Sequence, residues 1–206
     1  MSFMNQIKTR WVQNNTLLCV GLDPDIEKIP EKYRELETPL FAFNKDIIDA
    51  TEKYVCCYKP QIAYYNGIGK ERDLELTIEY IHKTYPGIPV ILDGAIDLQD
   101  LEIAGEPLYM QVAKKAASKW NKNSNVLLVV GATYPEELAK IRAVIGDIPF
   151  LTPGIGAQGG DVEKAVKAGT TTDGTGMIIN SSRGIIYAEN PGVAAKTLRD
   201  EINLYR

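Results

Sequence analysis

Six short runs punctuate this chain, each apolar on successive residues and not on alternate ones: residues 16–22, 54–58, 89–92, 125–130, 149–151 and 176–179. Strands buried on both faces read this way, because alternation arises only where one face meets water. Amphipathic helical patterns lie between them, at 40–53, 70–85, 107–121, 135–145, 161–168 and 191–204. Pro135 opens one of these at its first turn, Glu136 and Glu137 suit the positive helix end, and Gly146 supplies the stop. Strands that alternate with helices predict an α/β fold with a parallel sheet. No low-complexity tract, linker or charge block interrupts the rhythm, so the expectation is one domain over residues 1–206.

The polar residues fall at one recurrent place. Asp23 follows the first apolar run, Lys59 the second and Asp93 the third. The loop Gly154-Ile155-Gly156-Ala157-Gln158-Gly159-Gly160 follows the fifth, and Asn180-Ser181-Ser182-Arg183-Gly184 the sixth. Ligands of α/β barrels and open α/β sheets bind at the carboxyl ends of strands, so these positions converge in either architecture. Any one charge could be a strand cap; three at equivalent positions point to a site. The glycine-rich loop leads into a helix starting near Asp161, whose free N–H groups suit an anion. With Arg183 in the next strand-end loop, and Gln158 as a neutral donor, that anion is expected to be a phosphate. The loop matches neither the dinucleotide fingerprint nor the Walker loop.

Composition narrows the function classes. With 23 Lys and Arg against 27 Asp and Glu, the net charge of −4 offers no basic field for nucleic acid or an anionic membrane. No apolar run approaches the roughly 20 residues of a membrane span. Residues 1–10 lack the apolar segment of a secretory signal. The three cysteines cannot build a disulfide framework, so a reducing cytoplasm is expected, with Cys19, Cys56 and Cys57 packed in strands. His82 is the only histidine and is expected on a helix surface, which excludes a His-dependent triad and a two-His metal site. No metal constellation is visible. Tyr64 and Tyr65 are read as packing residues.

Taken together, Gly21-Leu22-Asp23-Pro24, Tyr58-Lys59-Pro60, Ile91-Leu92-Asp93, the stretch 153–160 and Asn180-Ser181-Ser182-Arg183-Gly184 resemble the orotidine 5′-phosphate decarboxylase family. The likeness is to its bacterial branch with the loop Pro-Gly-Ile-Gly-Ala-Gln-Gly-Gly, and it spans about residues 15–188. It implies a TIM (β/α)₈ barrel of the ribulose-phosphate-binding type, a homodimer with sites at the subunit interface, and cofactor-free conversion of orotidine monophosphate to uridine monophosphate. Asp23 would bind the ribose, Lys59 and Asp93 would be the catalytic charges, and Gln158, Gly159 and Arg183 would hold the phosphate. In that family a lysine protonates C6 as carbon dioxide leaves, with carboxylates beside it, and binding energy from the remote phosphate drives much of the rate.

The pattern breaks in one segment. The family signature Asp-x-Lys-x-x-Asp reads here Asp93-Gly94-Ala95-Ile96-Asp97-Leu98, with alanine at the lysine and leucine at the second aspartate. Asp97 is one position out of register. The stretch from Gly94 instead resembles the family's segment after its fifth strand. A seam between Asp93 and Gly94 is the simplest account, with about two βα units missing, on the order of 60 residues. Six units are then present where the barrel has eight. A chain truly this short would expose a large apolar sheet edge, an aggregation hazard, which favours a polypeptide carrying further residues here. As written, the chain is expected to bind phosphate weakly and to catalyse poorly or not at all. The alternatives are an inactive phosphate-ligand-binding barrel and another sugar-phosphate isomerase or aldolase.

Overall fold

The computed structural model describes residues 2–93, 102–103, 105–124, 126–155 and 161–206. In chain order it holds α1 (Phe3–Gln13), β1 (Leu18–Leu22), α2 (Glu31–Arg34), α3 (Pro39–Thr51), β2 (Cys57–Pro60), α4 (Ala63–Asn66) and α5 (Glu71–Thr84). Next come β3 (Glu102–Ile103), β4 (Glu106–Pro107), α6 (Leu108–Lys115), β5 (Leu128–Val129), α7 (Pro135–Ile145) and β6 (Phe150–Thr152). The last elements are α8 (Val162–Gly169), β7 (Met177–Ser181), α9 (Arg183–Ile186) and α10 (Pro191–Tyr205). Two compact units divide the chain, Met1–Gly94 with Asn180–Leu204, and Ala95–Ile179 with Tyr205–Arg206.

In the first unit, β1 and β2 pair in parallel with Gly21 opposite Lys59 and Leu22 opposite Pro60. All residues of both strands are buried, as runs apolar on successive positions require. The second strand begins at Cys57, later than the expected residue 54, because Tyr54 closes a turn onto the Thr51 carbonyl. Lys59 therefore lies within the strand. The run at 89–92 forms no named strand. It pairs with β2 through single bridges, Tyr58 with Val90 and Gln61 with Asp93. Pro89 has no N–H to give to a ladder, and Leu92 is 53% exposed, so its outer face is uncovered among the described residues.

Helix α1 was not expected from the sequence pattern. Ile7 and Trp11, four residues apart, bury one face, and Arg10 donates to the carbonyls of Glu52 and Val55 at 2.5 and 2.6–2.9 Å. Helix α3 starts on a borrowed cap: the buried Asp73 carboxylate of α5 accepts from the Leu40 and Phe41 amides at 2.8 and 3.0 Å. Those first-turn amides have no partner within their own helix.

In the second unit, β5, β6 and β7 pair in parallel, with Phe150 opposite Met177 and Leu128 opposite Phe150. The expected strand 125–130 contracts to two residues, and Val129 is nearly half exposed. The expected helix 107–121 ends at Lys115 and continues as one π turn (Ala116–Trp120) and one 3₁₀ turn (Asn121–Asn123), closed by Ser124 in the left-handed region. Helix α7 occupies 135–145 as predicted, and Asp161 caps α8 by accepting from the Lys164 amide at 3.0 Å. Arg142 of α7 donates to the carbonyls of Gly146, Ile148, Gly169 and Gly176 at 2.6–2.8 Å and stacks 4.0 Å from the Phe150 ring centre.

Candidate active site

Three of the residues singled out in the sequence meet at the carboxyl ends of β1 and β2 and the bridging segment beside them. Lys59 Nζ lies 2.9 Å from Asp93 Oδ2 and 3.9 Å from Asp23 Oδ1. The parallel register sets this geometry, since Gly21 and Lys59 are partners and Gln61 pairs with Asp93. Asp23 Oδ1 also accepts from the Gln61 amide at 3.1 Å. Lys59 is 3% exposed, so its ammonium has exchanged water for two carboxylates.

The electrostatics follow from that exchange. Burial works against the charge on Lys59, but the fields of Asp23 and the hydrogen bond to Asp93 outweigh it, and the Lys59 pKa is raised. Burial also raises the pKa of Asp23, with Lys59, the Ser182 hydroxyl and the Gln61 amide pulling the other way. One buried cation thus faces two carboxylates, and the cluster has more acceptor capacity than Lys59 alone uses. Such a surplus suits sugar hydroxyls, which donate.

Of the expected phosphate residues, Arg183 opens the four-residue α9 and is exposed. Gln158 and Gly159 lie outside the described residues, as do Ala95, Asp97 and Leu98. His82 is exposed on α5, and Cys19, Cys56 and Cys57 are buried. Tyr65 is buried and hydrogen-bonded, whereas Tyr64 is 41% exposed. The described residues hold no group of three or more His, Cys, Asp or Glu placed to bind a metal, and no helix among them is long and apolar enough to cross a membrane.

Sequence reasoning missed the supports of Asp23. The Tyr65 hydroxyl donates to the Leu22 carbonyl at 2.7 Å and accepts from Asn44 Nδ2 at 2.9 Å. The Ser182 hydroxyl donates to the Gly21 carbonyl at 3.0 Å. A signal was available: a glycine two residues before the aspartate, inside an otherwise bulky strand, marks a close approach.

The profile of the family described as "Orotidine 5′-phosphate decarboxylase / HUMPS family" matches residues 94–198. An orotidine 5′-phosphate decarboxylase of Cellvibrio japonicus is 44% identical, with both chains covered in full. The chain belongs to this family. The protein of that name from Cupriavidus metallidurans is 40% identical over all of this chain and 99% of its own. Among solved structures, Leishmania donovani OMP decarboxylase superposes with a TM-score of 0.84 at 32% identity, covering 100% of this chain and 99% of that one. Leishmania donovani UMP synthase gives 0.85 at 33%, with this chain covering 56% of it. The fold is the family's TIM barrel, of which the parallel strands described above are a part. The Cellvibrio alignment runs over 272 positions against 206 residues here, leaving about 66 without a counterpart. That excess agrees with two lost βα units, and the family match opens at Gly94, where the seam was expected.

Proposed function

We propose that this protein acts on orotidine 5′-phosphate, releasing carbon dioxide to give uridine 5′-phosphate (UMP), the last step of UMP synthesis. The observation that carries this reading is the buried Lys59 ammonium held between Asp23 and Asp93 at neighbouring strand ends. On this reading Asp23 accepts from the ribose hydroxyls, and Lys59 holds the charge balance beside the sugar. Asp93 crowds the substrate carboxylate. Arg183, exposed at the start of α9, forks onto the phosphate together with Gln158 and Gly159. The reaction needs no cofactor, and a cytoplasmic homodimer formed from a single barrel domain is the proposed working form.

Loss of carbon dioxide leaves an electron pair at C6 that must take a proton. In the family's Asp-x-Lys-x-x-Asp signature the lysine supplies it, and Ala95 stands at that place with no proton to give. Lys59 is a poor substitute, since two carboxylates hold its proton more firmly than usual. The 206-residue chain is therefore proposed to bind the nucleotide while turning it over poorly. A polypeptide carrying about 66 further residues at the seam would have the full machinery. Ala95 and Leu98 also favour a second reading, an inactive barrel that binds phosphate ligands.

The test pairs intact mass with ligand binding and turnover. At 22.8 kDa, UMP binding with impaired decarboxylation supports the first reading, and binding with none at all supports the second. Absence of UMP binding defeats both.

A further inference from the structure

A carboxylate is placed no better than the backbone that carries it, and the backbone around Asp23 is held on both sides by tyrosine hydroxyls. Before it, Tyr65 donates to the Leu22 carbonyl at 2.7 Å. After it, the Asp25 amide donates to the Tyr187 hydroxyl at 2.7 Å. The stretch between is stiff. Pro24 is buried and its ring fixes φ, and a residue before proline is confined to extended backbone. Pinning the peptide planes at Leu22 and Asp25 therefore sets where the Asp23 side chain leaves the chain. The turn that follows closes on itself, with the Asp25 carbonyl accepting from the Lys28 and Ile29 amides at 2.9 and 3.1 Å. Tyr187 thus joins the start of this loop to the segment after β7. Its own position is fixed by the buried Ile185 and Ile186 of α9 just before it, and by its ring, which stacks on Phe43 at 6.0 Å with 20° between the planes. The same short helix opens with Arg183.

We propose that Tyr187 is a positioning residue for the nucleotide: by accepting the Asp25 amide, its hydroxyl fixes the Asp23-Pro24 segment so that the Asp23 carboxylate meets the ribose. Because α9 also begins with Arg183, one element then carries the phosphate contact and the hold on the ribose loop. The inference rests on the reading of Asp23 as the ribose acceptor. A hydroxyl that served stability alone would lower the unfolding midpoint and leave the affinity of the folded protein as it was.

UMP affinity is measured by calorimetry on the whole chain and on Tyr187→Phe, Asp23→Ala, the double variant and Tyr33→Phe, with urea unfolding showing that each is folded in the assay. Tyr187→Phe removes one oxygen from a half-buried residue and keeps the ring on Phe43, so the fold is retained. It is expected to weaken UMP binding by roughly 3–10-fold, the range of one lost hydrogen bond, and to have no further effect once Asp23 is alanine. Tyr33 belongs to the same aromatic group, meeting Phe43 edge-on at 5.5 Å, but its hydroxyl donates to Asp46. Tyr33→Phe is therefore expected to bind UMP like wild type, and this comparison decides if Asp23→Ala leaves no measurable binding. A silent Tyr187→Phe, an effect that persists in the Asp23→Ala background, or an equal loss in Tyr33→Phe overturns the inference while leaving the ribose reading intact. An Asp23→Ala variant that binds UMP normally overturns the ribose reading, and this inference with it.

Discussion

Two cations, the buried Lys59 in one compact unit and the half-buried Arg142 in the other, show how differently this fold uses charge. Lys59 sits between Asp23 and Asp93, which restore and exceed what burial removes, so its pKa is raised. Arg142 is surrounded by carbonyls and an aromatic face, with Asp147 the one carboxylate acting on it, and burial pushes its pKa down to about 10. The guanidinium places four of its five N–H donors on the carbonyls of Gly146, Ile148, Gly169 and Gly176, tying the segments around α7 and α8 together. The lysine cluster brings two carboxylates to one ammonium. A cation that meets carbonyls is holding the backbone together; one buried against carboxylates is poised for chemistry.

The strongest way to break this contrast is to remove the lysine. Lys59→Met leaves two carboxylates facing each other in a buried site, and should cost about 3–5 kcal/mol of stability and abolish UMP binding. Urea unfolding and calorimetry report these losses. Replacing the whole cluster, as Lys59→Met with Asp23→Leu and Asp93→Leu, should recover most of the stability and none of the binding. Stability that stays low in the triple variant would mean that the cluster serves the fold, as Arg142 does.

Next in size, Arg183→Ala should weaken UMP binding by roughly 2–4 kcal/mol, the loss of a charge-assisted fork on phosphate, with the unfolding midpoint unchanged. Arg142→Ala should do the reverse. Losing donors to four carbonyls should cost about 2–3 kcal/mol of stability, read by thermal unfolding, while the UMP affinity of the folded protein holds. Affinity that falls with Arg142→Ala under conditions where the protein stays folded would erase the distinction.

The smallest effect is in pH. The raised pKa of Lys59 means that its stabilisation is complete below its unfolded value near 10.5 and fades as pH climbs through the folded value. For Arg142 the folded state binds its proton less tightly than the unfolded chain, so its contribution rises as pH climbs above about 10. Wild type should therefore lose its advantage over Lys59→Met above pH 10.5, measured as the difference in unfolding free energy. A difference that is flat across that range would contradict the assignment.

The strand ends were legible because burial on both faces leaves only apolar residues inside, so Asp23, Lys59 and Asp93 stand out against Leu22, Tyr58 and Leu92. Helices α3, α5, α7 and α10 were legible from periodicity and end signals. Helix α1 was missed because Ile7 and Trp11 make too narrow an apolar stripe among polar neighbours to register as a core face. The strand at 89–92 was overread: its apolar run is real, but Pro89 weakens the ladder and its outer side is uncovered among the described residues. Ser182 and Tyr65 escaped because a hydroxyl that holds a carbonyl leaves no periodic trace. The seam was legible as a broken motif and as a shortfall of about two βα units, roughly 60 residues, and the alignment with the Cellvibrio japonicus relative leaves about 66 positions without a counterpart.

The most direct test of the account is orotidine 5′-phosphate turnover by the 206-residue chain, measured on a sample that demonstrably binds UMP. With alanine in place of the proton-donating lysine, turnover should fall at least about 10²-fold below that of the Cellvibrio japonicus protein, the lower bound for losing a positioned general acid. Turnover equal to that relative's would show that the cluster of Lys59, Asp23 and Asp93 supplies the proton by itself, and would contradict the division of roles argued here.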